Sequence, residues 1–316
     1  MTPLIQKIVN MGTRTVFQNS SVSPDDERRG IQRLLGGASL ELSSRDPSEI
    51  DACADLLEPG TPVYISMPPG QTYHGTVALA ARLRHAGFRP VPHVAARRIA
   101  SRDALDEYLA SAVAEGGVDS ALVIAGDSER TTGPFDSSLA LLETGLFQRH
   151  GINRLGVAGY PEGHPRIAVL ALDTALAAKK NLARRVGLDL QVVTQFCFEA
   201  GPVLAWAGKI RDHGLPVRVG LAGPASLPRL LRYAAICGIG NSVRALKSRP
   251  QAIARLIVET GPEVVLREIA RRPGAPIVGV HLFCFGGLVR TARWLRAIRE
   301  GRFELGADGG FRVGSA

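Results

Sequence analysis

The stretch from Ser120 to Asp127, Ser-Ala-Leu-Val-Ile-Ala-Gly-Asp, constrains the fold more than any other part of the chain. A short apolar, β-branched run without polar alternation reads as a strand covered on both faces, and Gly126-Asp127 puts a carboxylate where that strand opens to solvent. Seven other runs follow the same plan: Ser39 to Ser43, Pro62 to Met67, Arg89 to Val94, Arg154 to Tyr160, Leu190 to Cys197, Val217 to Leu221 and Ile277 to Phe285. Between them lie helical stretches. One starts from Asp46 or Ser48 as cap; others cover Thr72 to Ala86, Ser101 to Glu115, a segment running to His150, and a segment ending at Val186. The rest cover Glu199 to His213, Ser226 to Cys237, Ser242 to Arg271 and Leu288 to Glu300.

Parallel strands need helical crossovers, and eight such units close on themselves, so the pattern predicts a (β/α)8 TIM barrel over residues 38–300. A doubly wound open sheet is the alternative. It would announce a G-x-G-x-x-G turn after its first strand, and none follows Leu42. Residues 1–37 read as an N-terminal extension, a polar surface loop leading into a short helix. The glycine-rich residues 301–316 read as a mobile tail.

Composition narrows the class. With 45% hydrophobic and 21% charged residues the chain is globular, and no run of apolar residues is long enough for a membrane span. The net charge of +9 comes from dispersed arginines with few aromatics among them, which argues for a solvated basic surface attractive to small anions such as dinucleotides rather than a nucleic-acid interface. Cys53, Cys197, Cys237 and Cys284 lack C-x-x-C spacing, and no secretory leader is read, so a reduced, cytoplasmic enzyme is expected.

The polar residue at or just past each strand's C-terminal end gives Glu41, Ser66, His93, Asp127, Tyr160 and Gln195, which in a barrel share one rim. Glu41 stands between Leu40 and Leu42, so burial is expected to raise its pKa and make it a neutral proton donor; Asp127, in a polar loop, is expected to stay charged. The loop from Ser128 to Phe135 is long enough to fold over a ligand. Glu41, His93, Asp127 and His164, with Glu162 nearby, also suit a metal-dependent barrel hydrolase or lyase, though no H-x-H or H-E-x-x-H spacing supports a metal site. Asn181, Arg184 and Arg185 lie three and four residues apart, on one helical face able to grip a diphosphate or simply to meet water.

At these residues the chain resembles the methylenetetrahydrofolate reductase family, flavin-containing barrels that pass a hydride from a reduced nicotinamide to a folate. The resemblance runs from about Leu40 to Leu295. Tyr160-Pro161-Glu162-x-His164-Pro165 resembles the family's Y-P-E-x-H-P, Thr194-Gln195-Phe196-Cys197-Phe198 its T-Q-F-F-F, and Asn181-Leu182-x-Arg184-Arg185 its N-L-x-R-K. Pro92-His93 matches its P-H after the third strand, and Val280-His281-Leu282-Phe283 resembles its closing H-F-Y segment.

The resemblance implies an FAD site lined by Ser66, His93, Gly126, Asp127, Tyr160, His164, Asn181, Arg184 and Arg185. It implies NADH or NADPH as co-substrate and a tetrahydrofolate derivative as substrate. Glu41 corresponds to the family's catalytic glutamate, giving a proton to the folate N10, and Gln195 to its folate-contacting glutamine; Asp127 lies near the flavin. The implied activity interconverts 5,10-methylenetetrahydrofolate and 5-methyltetrahydrofolate in one-carbon metabolism and methionine biosynthesis, with an oxidative direction serving demethylation, and a homo-oligomer is left open. Three departures fall on ligand-contacting positions. The family's F-E-F-F-P-P-R reads Leu40-Glu41-Leu42-Ser43-Ser44-Arg45-Asp46, its R-G-D reads Ala125-Gly126-Asp127, and its closing N-R reads Gly286-Gly287, with Arg290 the nearby substitute. These losses also fit a non-catalytic folate-binding relative.

Overall fold

A computed structural model describes residues 23–42, 48–68, 70–236, 261–272 and 274–314. The expectations resting on residues 1–22, on Ser43, Ser44, Arg45 and Asp46, on Cys237 and on the helix over 242–260 lie outside these residues.

Eight parallel strands form a closed barrel in chain order, as the alternating pattern predicts. They are β1 (Ser39–Leu42), β2 (Pro62–Ile65), β3 (Arg89–Ala95), β4 (Ser120–Ile124), β5 (Arg154–Gly159), β6 (Asp189–Phe196), β7 (Val217–Ala222) and β8 (Ile277–Phe283). β8 returns to β1, with Ser39 opposite His281 and Glu41 opposite Phe283. Alternate residues point in opposite directions. Tyr64, Val91, Leu122 and Val193 fill the barrel interior, while Leu40, Val63, Ala121 and Val123 join the larger core beneath the helices.

Among the described residues the helices are α1 (Pro24–Gly36), α2 (Ser48–Asp51), α3 (Tyr73–His85), α4 (Arg102–Ala114), α5 (Ser138–Glu143), α6 (Leu146–Arg149), α7 (Val169–Val186), α8 (Ala200–Lys209), α9 (Leu227–Ile236), α10 (Glu263–Ala270) and α11 (Leu288–Arg299). Thr72 and Ser101 start α3 and α4 by accepting hydrogen bonds from Gly75 N and Ala104 N, the role their positions predict. The single helix expected up to His150 is two, because Gly145 takes a left-handed conformation (φ 71°) between α5 and α6. No helix among the described residues is long and apolar enough to cross a membrane.

Both ends of the barrel segment differ from expectation. From Pro24 onward the N-terminal extension is part of the barrel body: Ile31 and Leu35 of α1 are fully buried, and α1 packs on β8, α10 and α11. The tail expected to be mobile forms an antiparallel hairpin, β9 (Phe303–Leu305) with β10 (Phe311–Val313). Phe303 and Phe311 are buried, Phe311 stacks on Trp294, and the Arg28 guanidinium lies 4.4 Å from the Phe303 ring centre. Strands this short leave no readable period between glycines, so tertiary burial rather than local pattern orders them.

One ion-pair cluster joins these additions. Glu27 of α1 meets Arg267 of α10 at 2.6 Å and Arg271 at 2.7 Å, and the Arg267 guanidinium also donates to the carbonyls of Gly306 and Gly310 in the hairpin. Burial pushes the Glu27 carboxyl upward, but the two arginines outweigh it and hold the pKa below the ordinary value. That stabilisation is therefore present above the unfolded-state carboxylate pKa and disappears as pH falls through the lowered folded value. Glu27→Gln leaves Arg267 buried without its counter-charge and is expected to cost about 3 kcal/mol of folding stability at neutral pH. Urea unfolding of both proteins checks this, and the difference should shrink in acid.

Candidate active site

The catalytic end of such a barrel is the face where the strands end, because every strand there hands over to a loop. Glu41 lies one residue from the end of β1 and points inward. Its Oε2 is 3.4 Å from His93 Nε2 on β3 and 3.4 Å from His281 Nε2 on β8. Both are long contacts, at the outer limit of a hydrogen bond. All three side chains are buried, His281 completely. Ser39 Oγ lies 2.9 Å from His281 Nδ1, and the Tyr64 ring centre is 4.4 Å from that of His281.

This geometry corrects the expectation that Glu41 is a neutral acid. Burial does push its pKa upward, but His93 and His281 together outweigh it and the net displacement is downward. His93 is itself driven below its ordinary value, first by burial, so it stays neutral at neutral pH. The carboxylate is thus held by N–H donation. In the tautomer that carries its proton on Nε2, His281 donates to Glu41 while its Nδ1 accepts from the Ser39 hydroxyl. His93 Nε2 is buried and makes no hydrogen bond to a protein group in this arrangement. The site therefore contains a buried carboxylate between two imidazoles, groups close enough to exchange a proton and to titrate as a unit.

The other rim residues stand above this floor. Ser66 donates from Oγ to the Leu42 carbonyl at 3.0 Å, tying the end of β2 to β1. Gly126 and the exposed Asp127 follow β4. Tyr160, after β5, packs edge-on against His164 with ring centres 5.0 Å apart. Burial, then the charge of Asp127, raises the Tyr160 pKa, so its hydroxyl remains a donor. Burial, with Arg166, lowers that of His164, so its ring stays neutral. Asp127, Tyr160 and His164 thus form one cluster at the mouth.

Gln195 lies where the β6–β7 register shifts between Val193 and Phe196, and its Oε1 accepts from Phe196 N at 3.0 Å. Such an irregularity re-aims a strand-end side chain. Arg290 occupies the first turn of α11, at the same end of the barrel.

Asn181, Arg184 and Arg185 are not brought into this cluster. All three are exposed in the second half of α7, which descends from the rim to the strands' starting end. The metal-site alternative fares no better: Glu41 and His93 lie inside the barrel, Asp127 and His164 on the mouth. Among the described residues no group of three or more His, Cys, Asp or Glu side chains has an arrangement that would hold a metal ion. The three described cysteines are buried, and burial raises the thiol pKa of each, to about 12 for Cys53 and Cys284; they are inert core residues.

The structure explains one departure from the family pattern. A side chain at Gly286 would meet the Pro224 carbonyl oxygen at 2.0 Å, and Gly287 adopts φ 105° with Glu49 Oε1 2.8 Å from where a Cβ would lie. Glu49 occupies that space, accepting from Leu288 N at 3.2 Å at the start of α11. Any side chain at Gly286 would require the backbone to move, and an arginine at Gly287 would be strained by its positive φ and would have to displace Glu49.

Two arginines with a clear role escaped sequence reading. Arg97, just past β3, donates to the carbonyls of Asp136 and Ser128, pinning the loop after β4. Arg98 donates to the carbonyls of Met67, Pro68 and Gln71, pinning the loop after β2. The loop expected to fold over a ligand is therefore held against its neighbour. The available signal was the pair Arg97-Arg98 directly after a strand, where rim residues are found.

No family's sequence profile matches the chain. Solved structures similar to it include deoxyribose phosphate aldolase from Aeropyrum pernix, 14% identical over 87% of this chain and 99% of that one, with a TM-score of 0.47. Dihydropteroate synthase from Thermus thermophilus is 16% identical over 84% of this chain and 92% of that one, with a TM-score of 0.43. 3-Dehydroquinate dehydratase from Geobacillus kaustophilus is 13% identical over 59% of this chain and 73% of that one, with a TM-score of 0.37. Likeness at this level bears on the barrel alone, which the strand pairing establishes independently, and chemistry must be argued from the site.

Proposed function

We propose that the chain is a flavin-dependent oxidoreductase interconverting 5,10-methylenetetrahydrofolate and 5-methyltetrahydrofolate with NADH or NADPH, the activity its resemblance to the methylenetetrahydrofolate reductase family implies. The observation that supports this reading is the meeting of three separate motifs on one atom. Glu41, His93 from Pro92-His93 and His281 from Val280-His281-Leu282-Phe283 come from strands far apart in sequence, yet both imidazoles lie 3.4 Å from the same carboxylate oxygen.

The residues present fit FAD. Tyr160 and His164 offer an aromatic corner at the mouth, Asp127 a carboxylate beside it, and Ile167, Val169 and Leu170 an exposed apolar surface at the adjoining start of α7. From Leu170 the positions 174, 177, 181 and 184 follow at helical spacing down the outward side of α7, ending at the arginines. Leu170 to Arg184 spans about 21 Å of helix, so a cofactor with its ring at the mouth reaches Arg184 and Arg185 only when extended. FAD, when bound, supplies the hydride transfer between nicotinamide and the one-carbon unit.

The protein's share is proton handling and orientation. Glu41, whose pKa the two histidines lower, takes the N10 proton as the imidazolidine ring closes and returns it as the ring opens. A base at rest suits the closing, oxidative direction, in which a methyl group carried on the folate enters one-carbon metabolism. Gln195 and Arg290 orient the folate, and Asp127 favours positive charge on the reacting one-carbon centre.

The absorbance spectrum of the purified protein tests the assignment, followed by anaerobic addition of methyltetrahydrofolate: a flavin band that bleaches supports it, and a colourless protein that binds no added FAD rejects it. Glu41→Gln is expected to lower folate turnover 10²-fold or more, roughly the worth of general acid–base catalysis, while flavin reduction by the nicotinamide is nearly unchanged. Stopped-flow measurement of the two half-reactions separates these outcomes.

His281→Phe removes the N–H donor to Glu41 and leaves burial less opposed. The Glu41 pKa then rises, and the acid limb of the kcat/KM profile for folate moves to higher pH. A double replacement, Arg184→Gln with Arg185→Gln, should weaken FAD binding about tenfold by equilibrium titration; unchanged affinity would return that face to the solvent.

A further inference from the structure

We infer that the barrel carries an anion site at its other mouth, where the strands begin, built for a phosphate-sized group. In barrels of this kind the inward residues of alternate strands form layers, dominated by branched aliphatic side chains. Here that end carries arginines instead: Arg89 at the start of β3, Arg154 at the start of β5 and Arg218 near the start of β7 gather beside Ser39 of β1. Together with Tyr64 and Gln191 they line a small cavity of about 40 Å³ that opens to solvent on one side. No carboxylate is among the described residues that line it.

The three guanidinium groups are not equally satisfied. Arg154 turns to Asp119 at 2.6 Å, half-exposed at the edge. Arg218 donates from Nε to Gln191 Oε1 at 3.0 Å and from its terminal nitrogen to the Gly37 carbonyl, without a counter-charge. Arg89 has a buried Nε with no hydrogen-bond partner. The two uncompensated charges feel each other, since Arg89 opposes the charge on Arg218, whose pKa burial already lowers. The Tyr64 hydroxyl accepts from Gln191 Nε2 at 3.5 Å within the influence of both charges, and burial raises its pKa to about 12, so it remains a donor.

Two like charges in a partly enclosed pocket, with an orphaned N–H, are unfavourable alone. One anion resolves both defects. A phosphate is matched to guanidinium geometry and accepts from several donors at once, and Arg89, Arg218 and Tyr64 supply them. Because the cavity is open on one side, the group is either inorganic phosphate or the phosphate of a small monoester whose remainder stays outside. Ser39 and Tyr64 also touch His281, so the site lies directly beneath the Glu41 cluster without including it.

Thermal unfolding and calorimetric titration of the full chain test the proposal, with inorganic phosphate added at ionic strength matched by chloride. Phosphate at ten times its Kd should raise the wild-type Tm by roughly 3 °C with one phosphate bound per chain at this site. In Arg89→Met the phosphate shift should vanish, while the Tm in chloride is no lower than wild type, because a like-charge contact is gone. The double variant of Arg184 and Arg185 should keep the shift, separating this site from the proposed cofactor face.

If Arg89→Met does not fold, Arg218→Lys serves instead and should weaken phosphate at least tenfold. Glycerol 3-phosphate distinguishes the sources: tighter binding than phosphate points to a monoester, weaker binding to the free ion. An equal phosphate shift in wild type and Arg89→Met, or no saturable binding of either probe, overturns the site.

Discussion

The pairing of β8 with β1 is the contact on which the rest of the molecule depends. Seven of the eight strand pairings join strands consecutive in sequence; this one joins the two ends of the barrel and closes the hydrogen-bonded cylinder. Its register sets Ser39 opposite His281 and Glu41 opposite Phe283, which brings an imidazole from β8 beneath the carboxylate of β1. A slip of one residue would turn the inward side chains of β1 outward. Closure is thus what assembles the fold's most unusual group of side chains.

Around that closure the barrel divides its polar residues between two ends with opposite characters. Toward the strand ends, a buried carboxylate lies between two histidines, and loops are tied down by Arg97 and Arg98. Toward the strand starts, arginines gather around a space usually given to aliphatic packing. Between them lies the apolar plug of Tyr64, Val91, Leu122 and Val193, with Ile124 packed against it. Tyr64 belongs to both ends: its ring touches His281 and its hydroxyl accepts from Gln191 within the influence of the arginines. Burial makes each end costly unless it is compensated. Above, the compensation is internal; below, it requires something from outside.

The additions to the barrel follow a similar logic. A barrel has a bare outer wall wherever a crossover helix fails to cover it, and α1, α10 and the terminal hairpin are fastened together over β8 through Glu27, Arg267 and Arg271. The hairpin's own strands are too short to persist alone; two phenylalanines and one shared arginine give it a place.

Several features were legible in the sequence for local reasons. Eight apolar runs separated by helical spacing specify β/α alternation, since burial on both faces leaves no polar alternation to mislead. The positions ending those runs place Glu41, His93, Asp127 and Tyr160 at one end of the barrel, the first two inside it and the other two at its mouth. What tertiary structure alone decided was charge and company. Glu41 between two leucines reads as a neutral acid until β3 and β8 bring histidines to it; Gly286-Gly287 reads as a lost arginine until Pro224 and Glu49 are seen to occupy the space. Arg89, Arg154 and Arg218 read as scattered surface charge until the closed barrel gathers them around one pocket. A pKa, a steric limit and an anion site each depend on neighbours that the chain places far apart, so their physical causes exist only once the barrel has closed.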